Sequence, residues 1–348
     1  MLFNIEHDNG DVIEGYLIPD GFAEIPTIVV SDVTGPIIEL QCTHVRQSVI
    51  DAGRHGGPVG FRLDLSIIPN LIDCEGLAIH DSKTGILVYR RPRVKDPIHK
   101  KILRLETQLI PHLRLDAYYG RNFQYELSSI ERYGHETTLQ VFHLNTIDSI
   151  YLSGRLLMRN YEEFFDKGFS AIVMLTDPYY EMATRLYVLK RMSKIKIPFL
   201  GDRDQLILGA AVDYFEPVMI NDERSLRQAL KHAPQKVRNV FLSPTTRQLA
   251  CTSPEQPVTR ADVAPAIDLL SRFTVVGHQS EELHFQQAVG ELLNLPADGM
   301  QFSPKHSELE RIAENLRAIP FAEQLLEQDL IFDHYVRQAM SPMTAQEF

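Results

Sequence analysis

The sequence contains little cysteine, and the residues present do not form a recognisable pair. Cys42, Cys74 and Cys251 are widely spaced, and none belongs to a CxxC motif. A sparse, odd set of cysteines does not provide a disulfide framework and is typical of a reducing compartment. The first residues lack the apolar run of a signal peptide, and no apolar run approaches the roughly 20 residues that span a bilayer. These absences predict a cytoplasmic protein without an integral membrane segment.

Positive charge is also in short supply. The chain has 35 Lys and Arg residues against 46 Asp and Glu residues, which gives a formal net charge of −11. A general nucleic-acid binder needs a basic surface that displaces counterions from phosphates. The charge balance therefore predicts no nucleic-acid partner, while a local basic cleft for a small anion remains compatible with it. With 348 residues, 44% of them hydrophobic, the chain is long enough for two domains with folded cores.

Several motifs of nucleotide, metal and hydrolase sites are missing. The sequence has no GxxxxGKS or GxxxxGKT loop, no GxGxxG, no HExxH, no GxSxG and no zinc-type spacing of Cys and His, which argues against the enzymes that use them. One acidic pair, Asp202 and Asp204, has the DxD spacing that can chelate a divalent cation with a nucleotide sugar. A helix start with an acidic first turn explains the same pair. We predict no metal site, and a metal-dependent glycosyltransferase that uses Asp202 and Asp204 is an alternative.

Residues 1–90 predict a small β-sandwich domain. Strand-length apolar runs such as residues 27–31 and 86–89 are separated by turn signals at the roughly 8–12-residue spacing typical of sandwiches. Residues 91–98, basic and interrupted by Pro92 and Pro97, are predicted to be a linker. The N-terminal region resembles the β-sandwich modules found beside bacterial polysaccharide glycosyltransferases. The residues that carry this resemblance are Gly15, Arg46, Asp51, Ala52, Gly53, Gly60, Phe61, Asp81 and Gly85.

Residues 99–348 predict a larger α/β domain, an open parallel sheet flanked by helices. Residues 171–175 form a continuous apolar run, which is typical of a parallel strand covered on both faces. Pro178 then opens a helix at its first position, and alternating strands and helices define the fold class. The predicted strands are residues 138–143, 171–175 and 272–277, and the predicted helices are 102–110, 123–133, 151–165, 178–192, 206–212, 225–231, 263–270, 281–293 and 308–330.

The strand at residues 171–175 leads into the first segment of chemical interest. Thr176, Asp177 and Pro178 follow the strand, and Thr184 lies in the first turns of the helix. A helix N-terminus offers free N–H groups and a positive dipole to a phosphate. An Asp-Pro pair is also a common way to start a helix. The pattern therefore indicates either an anion site or a simple helix start.

A second segment lies between the predicted strand at 138–143 and the predicted helix at 151–165. A loop of this kind places hydroxyls and backbone N–H groups at the sheet edge, where phosphates bind. Its polar side chains equally suit the capping of a helix. The polar residues of this segment are His143, Asn145, Thr146 and Ser149, and Arg155 follows on the predicted helix.

Both segments, together with a C-terminal stretch, resemble the sulfotransferase family, especially its bacterial and carbohydrate branch. The C-terminal stretch runs from the strand at 272–277 to residues 328–332, and the whole resemblance covers residues 135–340. It implies a P-loop-like α/β fold and the donor 3′-phosphoadenosine 5′-phosphosulfate (PAPS) as the cofactor. In the family, a loop with Lys and Gly binds the phosphosulfate, while an Arg and a Ser bind the 3′-phosphate.

The resemblance implies roles for individual residues. Sulfuryl transfer to a hydroxyl needs a base for that hydroxyl and cationic stabilisation of the transferring group. His143 and Asp177 are the implied candidates for the base, and Arg155 is the candidate for the cation. The implied donor-binding positions are Asn145, Thr146, Ser149, Thr176 and Thr184.

The sequence departs from the family at three donor-binding positions. Thr176 stands where the family has Arg, Thr146 where it has Lys, and Ser149 where it has Gly. Loss of the guanidinium fork alone removes about one to a few kcal/mol of charge-assisted hydrogen bonding. We therefore expect a sulfotransferase-like protein of surface polysaccharide modification with altered or lost PAPS use, whose partner is a carbohydrate acceptor or a polysaccharide-synthesis protein. The alternative is a pseudoenzyme, a non-catalytic scaffold that binds a glycan, a nucleotide or a protein.

Overall fold

The chain forms two compact units. Unit 1 consists of Met1–Ile102 and Asp116–Leu152, and unit 2 consists of Leu103–Leu115 and Ser153–Phe348. The computed structural model describes residues 1–21, 24–93, 96–144, 146–296, 302 and 305–340. The domain boundary expected from the sequence, with a linker at residues 91–98, stays a prediction, and residues 94 and 95 of that linker lie outside the described residues.

The N-terminal part of unit 1 is built from short antiparallel strands. They are β1 (Leu2–Asp8), β2 (Val12–Ile18), β3 (Thr27–Asp32), β4 (Gly35–Gln41), β5 (His44–Val45), β6 (Pro58–Asp64), β7 (Ala78–Asp81) and β8 (Leu87–Arg90), with a short helix α1 (Gln47–Asp51) before β6. One four-stranded sheet has the order β1-β2-β6-β5, and a second has the order β4-β3-β7-β8. The predicted β-rich N-terminal region is confirmed as two antiparallel sheets, and the β-sandwich stays a prediction.

The turn between β7 and β8 shows why the chain reverses where the sequence suggests. Asp81 Oδ2 accepts hydrogen bonds from the backbone N–H of Thr84 at 2.8 Å and from the Thr84 hydroxyl at 2.6 Å. Gly85 follows with a φ of +70°, in the left-handed region that favours glycine. Asp and Gly at these positions therefore fix the turn through one side-chain cap and one backbone conformation.

The basic run that begins at the end of β8 is tied into unit 1 by ion pairs. Arg90 is buried, with one guanidinium nitrogen 3.3 Å from Glu126 Oε1. Arg91 makes a bidentate ion pair with Asp8, in which two guanidinium nitrogens each lie 2.7 Å from a carboxylate oxygen. The matched planar geometry of guanidinium and carboxylate makes this the stronger kind of ion pair. The start of the predicted linker is thus held in place by the rest of the unit.

A five-stranded parallel sheet carries the remainder of the fold. Its strands are β9 (Lys101–Leu105), β10 (Tyr125–Leu127), β11 (Ile150–Gly154), β12 (Phe169–Leu175) and β13 (Val275–His278), in the order β10-β11-β9-β12-β13. The helices are α2 (Leu113–Gly120), α3 (His135–Phe142), α4 (Glu163–Asp166), α5 (Pro178–Met192), α6 (Asp202–Phe215), α7 (Glu223–His232), α8 (Gln235–Arg238), α9 (Pro244–Ala250), α10 (Val263–Leu270), α11 (Glu282–Leu293), α12 (Ser307–Arg317) and α13 (Pro320–Met340). The predicted fold class, a parallel sheet flanked by helices with antiparallel sheets at the N-terminus, is confirmed.

The step from β12 to α5 has the structure that the sequence predicts. Residues 171–175 are buried without interruption, because β12 has a neighbouring strand on each side and helices on its faces. Asp177 caps the helix by accepting hydrogen bonds from the backbone N–H groups of Tyr179 and Tyr180, both at 3.0 Å. Pro178 occupies the first helical position, where its missing N–H costs nothing. A cap, a proline and a buried strand therefore fix this junction together.

Four predicted elements have the wrong type. Residues 102–110, predicted to be helical, form the end of β9 followed by a loop. Residues 123–133, also predicted to be helical, contain β10 and a 3-10 turn. Residues 151–165, the third wrong helix, form β11, a 3-10 turn and α4. Residues 138–143, predicted to be a strand, belong to α3 and its C-terminal cap.

These errors have one physical origin. A parallel strand covered on both faces is apolar at every position, so it lacks the alternation that distinguishes a half-buried strand from an apolar helix. Ile102, Leu103 and Leu105 are all fully buried in β9, and their spacing matches a helix as well as a strand. In α3, the β-branched residues Thr137 and Thr138 favour a strand by propensity, but both are buried on one face of a helix.

Helix α5 contributes to the main apolar core of unit 2. It packs against α6, α12 and α13. Ala183, Leu186 and Leu189 of α5 are fully buried in this core, and truncation of a buried leucine typically costs about 2–5 kcal/mol. The rigidity of α5 matters because its first two turns line the candidate site.

Among the described residues, no helix has both the length and the apolar character that a membrane crossing requires.

Candidate functional site

Three parallel strands of unit 2 end at one edge of the sheet. β12 lies between β9 and β13, and the residues that directly follow these strands are Glu106, Thr176 and Gln279. Open parallel sheets bind their ligands outside the carboxyl ends of the strands, where side chains from several loops converge. The candidate site therefore lies at this edge.

The loop after β9, residues 106–112, is organised by a buried carboxylate. Glu106 accepts hydrogen bonds from the backbone N–H of Gln108 at 3.1 Å and from the backbone N–H of His112 at 2.8 Å. It also lies 3.0 Å from His112 Nδ1, and we call this contact the Glu106–His112 pair. One side chain thus fixes both the path of the loop and the orientation of the imidazole.

Glu106 is ionised inside the protein. Burial raises the pKa of its carboxyl, but His112, the Arg104 guanidinium and the hydrogen bonds from His112 outweigh that effect and hold the pKa far below its usual range. Arg104 is itself buried, with a guanidinium nitrogen 3.0 Å from Glu106 Oε2. A buried carboxylate needs such compensation, because an unpaired charge in the interior is strongly unfavourable.

Gln108 connects the Glu106–His112 pair to the end of β12. Its side-chain nitrogen Nε2 donates a hydrogen bond to Thr176 Oγ1 at 2.7 Å and lies 3.3 Å from His112 Nε2. With Nδ1 of His112 donating to the glutamate, the neutral imidazole presents Nε2 as an acceptor. The amide of Gln108 therefore faces Nε2 of the histidine, on the opposite side of the ring from Glu106.

A second buried carboxylate holds the same loop to α5. Glu181 accepts hydrogen bonds from the backbone N–H of Leu109 at 3.1 and 3.3 Å, and Arg185 Nε donates to it at 2.8 Å. Burial raises the pKa of Glu181 to about 7, although the Arg185 guanidinium acts in the opposite direction. The loop is therefore fastened on one side by an ionised glutamate and on the other by one that titrates near neutral pH.

A cavity of about 410 Å³ opens beside this loop. We call it the apolar cavity, because its lining exposes more apolar than polar surface, although half of its lining residues are polar or charged. The loop and the start of α2 contribute Gln108, Ile110, Pro111, His112, Leu113, Arg114 and Leu115, and α5 contributes Tyr180, Thr184 and Tyr187. The remaining wall consists of Gln279, Glu282, Phe302, Lys305, His306 and Leu309.

A smaller cavity of about 290 Å³ shares a wall with the first. We call it the polar cavity, and the residues common to both cavities are Tyr180, Gln279 and Lys305. Its other walls are Asp177, His278, Ser280, Glu310, Ala313, Glu314, Arg317 and Arg337. Both cavities belong entirely to unit 2.

The predicted site residues near β12 lie at this edge of the sheet, but each hydroxyl or carboxylate has a structural task. Thr176 accepts the hydrogen bond from Gln108 described above. Asp177 caps α5 through Oδ1, while Oδ2 lies 3.0 Å from a guanidinium nitrogen of Arg317. Thr184 lines the apolar cavity, and its hydroxyl donates to the backbone carbonyl of Tyr180 at 2.9 Å. The structure thus brings Thr176, Asp177 and Thr184 together around α5.

Arg155, the predicted cation, pairs with one aspartate of the DxD sequence. Its guanidinium nitrogens lie 3.1 and 2.8 Å from the two carboxylate oxygens of Asp204. Asp204 also accepts a hydrogen bond from the backbone N–H of Gly201 at 3.1 Å, which caps the start of α6. Within the described part of the chain, no group of three or more His, Cys, Asp or Glu side chains has the arrangement of a metal site. The geometry favours the helix-start interpretation of Asp204.

The predicted donor loop of unit 1 has a different local structure from the one expected. His143 is the C-terminal cap of helix α3, so the segment follows a helix and leads into strand β11, the reverse of a strand-to-helix loop. His143 and Thr146 are exposed, whereas Ser149 is fully buried and its hydroxyl accepts a hydrogen bond from the backbone N–H of Gln124 at 3.0 Å. Asn145 lies outside the described residues.

Sequence reasoning missed the loop after β9. Because residues 102–110 were expected to be helical, Glu106, Gln108 and His112 were not considered as site residues. A signal was present: the polar run Glu106, Thr107, Gln108 interrupts an apolar run, and Pro111 ends it before His112. A buried strand followed by polar residues and a proline indicates a loop at the carboxyl edge of a sheet.

No protein-family model matches the chain, and no curated protein or solved structure matches it either. The resemblance of residues 135–340 to sulfotransferases therefore stays a prediction. The chemistry of the chain has to be inferred from the Glu106–His112 pair and the two cavities.

Proposed function

We propose that the chain is a transferase that moves an anionic group onto a carbohydrate hydroxyl, with His112 as the base. The observation that carries this proposal is the Glu106–His112 pair on the wall of the apolar cavity. A histidine whose Nδ1 is held by a carboxylate is a recurrent arrangement for proton abstraction, because the carboxylate fixes the tautomer and stabilises the imidazolium that forms.

The proposed step places each group in one role. The acceptor hydroxyl first replaces the Gln108 amide at His112 Nε2. Its oxygen then attacks the central atom of the transferring group, the bond from that atom to the leaving group breaks, and the hydroxyl proton passes to His112 Nε2. Glu106 keeps His112 oriented and stabilises its positive charge. Lys305 and Arg114, both on the cavity wall, supply the cationic charge that stabilises the transferring group.

The sulfotransferase resemblance gains support from the placement of α5. Thr184, which stands at the family's hydroxyl position, lines the apolar cavity, and Thr176 ends the strand beside it. A surface polysaccharide, the acceptor that the resemblance implies, remains part of the proposal. Non-catalytic binding of a glycan or nucleotide is the second candidate, favoured by the internal hydrogen bond that occupies the hydroxyl of Thr184.

The residues present do not fit the phosphosulfate of PAPS. The loop at 106–112 has neither Gly nor Lys, so its backbone lacks the open approach and its side chains lack the cation that a diphosphate-like group needs. We therefore propose a donor of lower charge, such as a sulfate monoester, and no step of the proposed chemistry requires PAPS.

A chromogenic donor tests the proposal directly. The full chain would be incubated with p-nitrophenyl sulfate and methyl glycosides of common hexoses, with released p-nitrophenolate read by absorbance and sulfated sugar by mass spectrometry. Removal of the base in His112→Asn should lower the transfer rate about 10²- to 10⁴-fold. His232→Asn is the matched control, because His232 is an exposed histidine at the end of α7 that lines neither cavity.

Two further measurements separate the alternatives. Calorimetry with PAPS, adenosine 3′,5′-bisphosphate and UDP-glucose shows whether the chain binds a nucleotide donor. Tight binding of the bisphosphate would contradict the low-charge donor, and equal rates for His112→Asn and wild type would remove His112 as the base. Glycan binding with no transfer from any donor would favour the scaffold.

A further inference from the structure

Apart from Lys305, the proposed transfer step does not use the charged residues that line the polar cavity. Its acidic residues are Asp177, Glu310 and Glu314, and its basic residues are Lys305, Arg317 and Arg337. The apolar cavity, by contrast, exposes more apolar than polar surface in its lining. Two adjoining cavities of such different chemistry are suited to two different ligands, or to two chemically different parts of one reaction.

Charge balance in the polar cavity argues against a simple anion site. Asp177 Oδ2 lies 3.0 Å from Arg317 and 3.5 Å from Arg337, and Glu314 lies 2.8 Å from Arg317. Each guanidinium is therefore already neutralised by a carboxylate, and an incoming anion would meet those carboxylates at close range. A neutral ligand avoids this cost and still finds donors and acceptors side by side.

Hydroxyl groups have the hydrogen-bonding pattern that this lining offers. Each hydroxyl donates one hydrogen bond and accepts others, so a polyhydroxylated ring needs alternating carboxylate and cationic partners. The ion pairs hold those partners in fixed positions, which reduces the entropy lost on binding. A volume of about 290 Å³ lies just below the range of roughly 300–1,000 Å³ for small-molecule sites, which suits a small ligand.

Gln279 provides an independent indication of a ligand. Its side chain is 9% exposed and belongs to the wall of both cavities. Among the described residues, no donor reaches its oxygen Oε1, although a buried amide oxygen almost always has a hydrogen-bond partner. Since the oxygen is itself shielded from solvent, a ligand hydroxyl would supply the missing donor once the amide turns toward a cavity.

We propose that the polar cavity is the acceptor subsite, which holds one neutral sugar ring and recognises it through Gln279. This inference rests on the proposed function, since it assigns the carbohydrate of that reaction to one cavity and leaves the apolar cavity for the donor. The shared residues Tyr180, Gln279 and Lys305 form the border across which the reacting hydroxyl meets the donor. Gln279 is then a specificity-determining residue.

The test measures sugar binding without any transfer reaction. Saturation-transfer difference NMR on the full chain would use methyl glycosides of glucose, galactose, mannose and N-acetylglucosamine at millimolar concentration. Gln279→Leu keeps a similar side-chain volume and removes the amide. We expect it to weaken binding of the preferred glycoside about three- to tenfold, the effect of one lost hydrogen bond.

Gln328→Leu is the matched control. Gln328 also has a buried Oε1 without a partner among the described residues, but it lines neither cavity, so its replacement should leave sugar binding unchanged. Thermal denaturation of both variants shows whether a loss of binding reflects a loss of fold. Binding is measured without a donor and with His112 intact in every protein, so that failure of the transfer chemistry leaves this result unaffected.

Three outcomes would overturn the inference. The first is that wild type binds none of the glycosides. The second is that Gln279→Leu and Gln328→Leu have equal effects on sugar binding in a folded protein. The third is that inorganic sulfate or phosphate competes with the sugar in a manner that depends on Gln279, which would make the cavity an anion site. Sugar binding that is weakened in Gln279→Leu and kept in Gln328→Leu supports the subsite.

Discussion

Gln108 Nε2 donates a hydrogen bond to Thr176 Oγ1 across 2.7 Å, and both residues are buried. The bond joins the loop after β9 to the residue that ends β12, so the two neighbouring strands share one polar contact at their carboxyl ends. Thr176 stands where the resemblance implies an arginine. In this chain the position serves to place the amide that faces His112.

Replacement of Thr176 by Val tests the structural part of this contact. The change keeps the side-chain shape and leaves a buried N–H of Gln108 without its acceptor, which costs about 1–3 kcal/mol. We expect a loss of that size in the free energy of unfolding from urea titration. Thr274→Val, at an exposed threonine just before β13, is the control and should change stability by less than about 0.5 kcal/mol. Equal effects of both changes would show that the contact is not maintained in solution.

Replacement of Thr184 by Val tests whether this hydroxyl contacts a donor phosphate. Because the hydroxyl donates to the carbonyl of Tyr180 within its own helix, we expect calorimetry with adenosine 3′,5′-bisphosphate to give the same result for variant and wild type. A donor-binding role would instead weaken the affinity about ten- to hundredfold, the loss expected for a hydrogen bond to a charged group. Thr184→Ser, which keeps the hydroxyl, separates that effect from a change in packing.

The stability of the protein should depend on the titration of Glu181. Burial raises the pKa of this carboxyl from an ordinary value of 4.5 to about 7 in the folded chain, so between these values the folded state binds more protons than the unfolded state. The contribution of Glu181 to stability is fully present below pH 4.5 and is lost as pH rises to about 7. Glu181→Gln should remove this part of the pH dependence.

The measurement compares urea unfolding of wild type and Glu181→Gln at several pH values from 4.5 to 8. The stability of wild type relative to the variant should fall as pH rises and level off above about pH 7. Glu308→Gln is a suitable control, since Glu308 lies half-buried in the first turn of α12 and accepts a hydrogen bond from Asn221 Nδ2 that a glutamine oxygen can also accept. Parallel pH profiles for wild type and Glu181→Gln would contradict the raised pKa.

The pairing of Arg155 with Asp204 gives a fourth prediction. A double-mutant cycle with Arg155→Ala and Asp204→Ala should show a coupling free energy of about 0.5–3 kcal/mol, because the two side chains are in direct two-pronged contact and largely shielded from water. Chemical denaturation measures all four proteins. If Arg155 instead served the transferring group, its replacement would lower the transfer rate and leave the stability nearly unchanged.

Addition of magnesium or manganese tests whether the DxD sequence, Asp202 and Asp204, binds a metal ion. With Asp204 engaged by Arg155 and by the start of α6, we expect neither ion to raise the melting temperature or the transfer rate. Metal-dependent transfer that is lost in Asp202→Asn would revive the glycosyltransferase alternative.

The junction of β12 and α5 was predictable because local signals agreed. A continuous apolar strand, an aspartate cap and a proline at the first helical position each specify the same structure, and the structure has them in place. The loop after β9 was not predictable in the same way. Its flanking residues Ile102, Leu103 and Leu105 are buried by contacts distant in sequence, and only those contacts distinguish a strand from a helix there.

The candidate site was even harder to predict from the sequence, because tertiary contacts assemble it. The contact of Glu106 with His112 joins residues six apart in the chain, and no helix or strand period brings such residues together. The wall shared by Tyr180, Gln279 and Lys305 combines three distant segments of unit 2. Local patterns identified Thr176, Asp177 and Thr184 because they follow a strand, and could not show that their polar atoms are occupied.

Glu106 serves the backbone of its loop and the side chain of His112 with the same two oxygens. A conservative change to Gln would lose the charge and could accept only some of these bonds, so the imidazole and the loop would relax together. A mutation at position 106 therefore cannot change the orientation of the base without also changing the loop. A random substitution at position 106 that inactivates the protein would also lower the stability of its fold. Selection for stability would therefore preserve the carboxylate of Glu106.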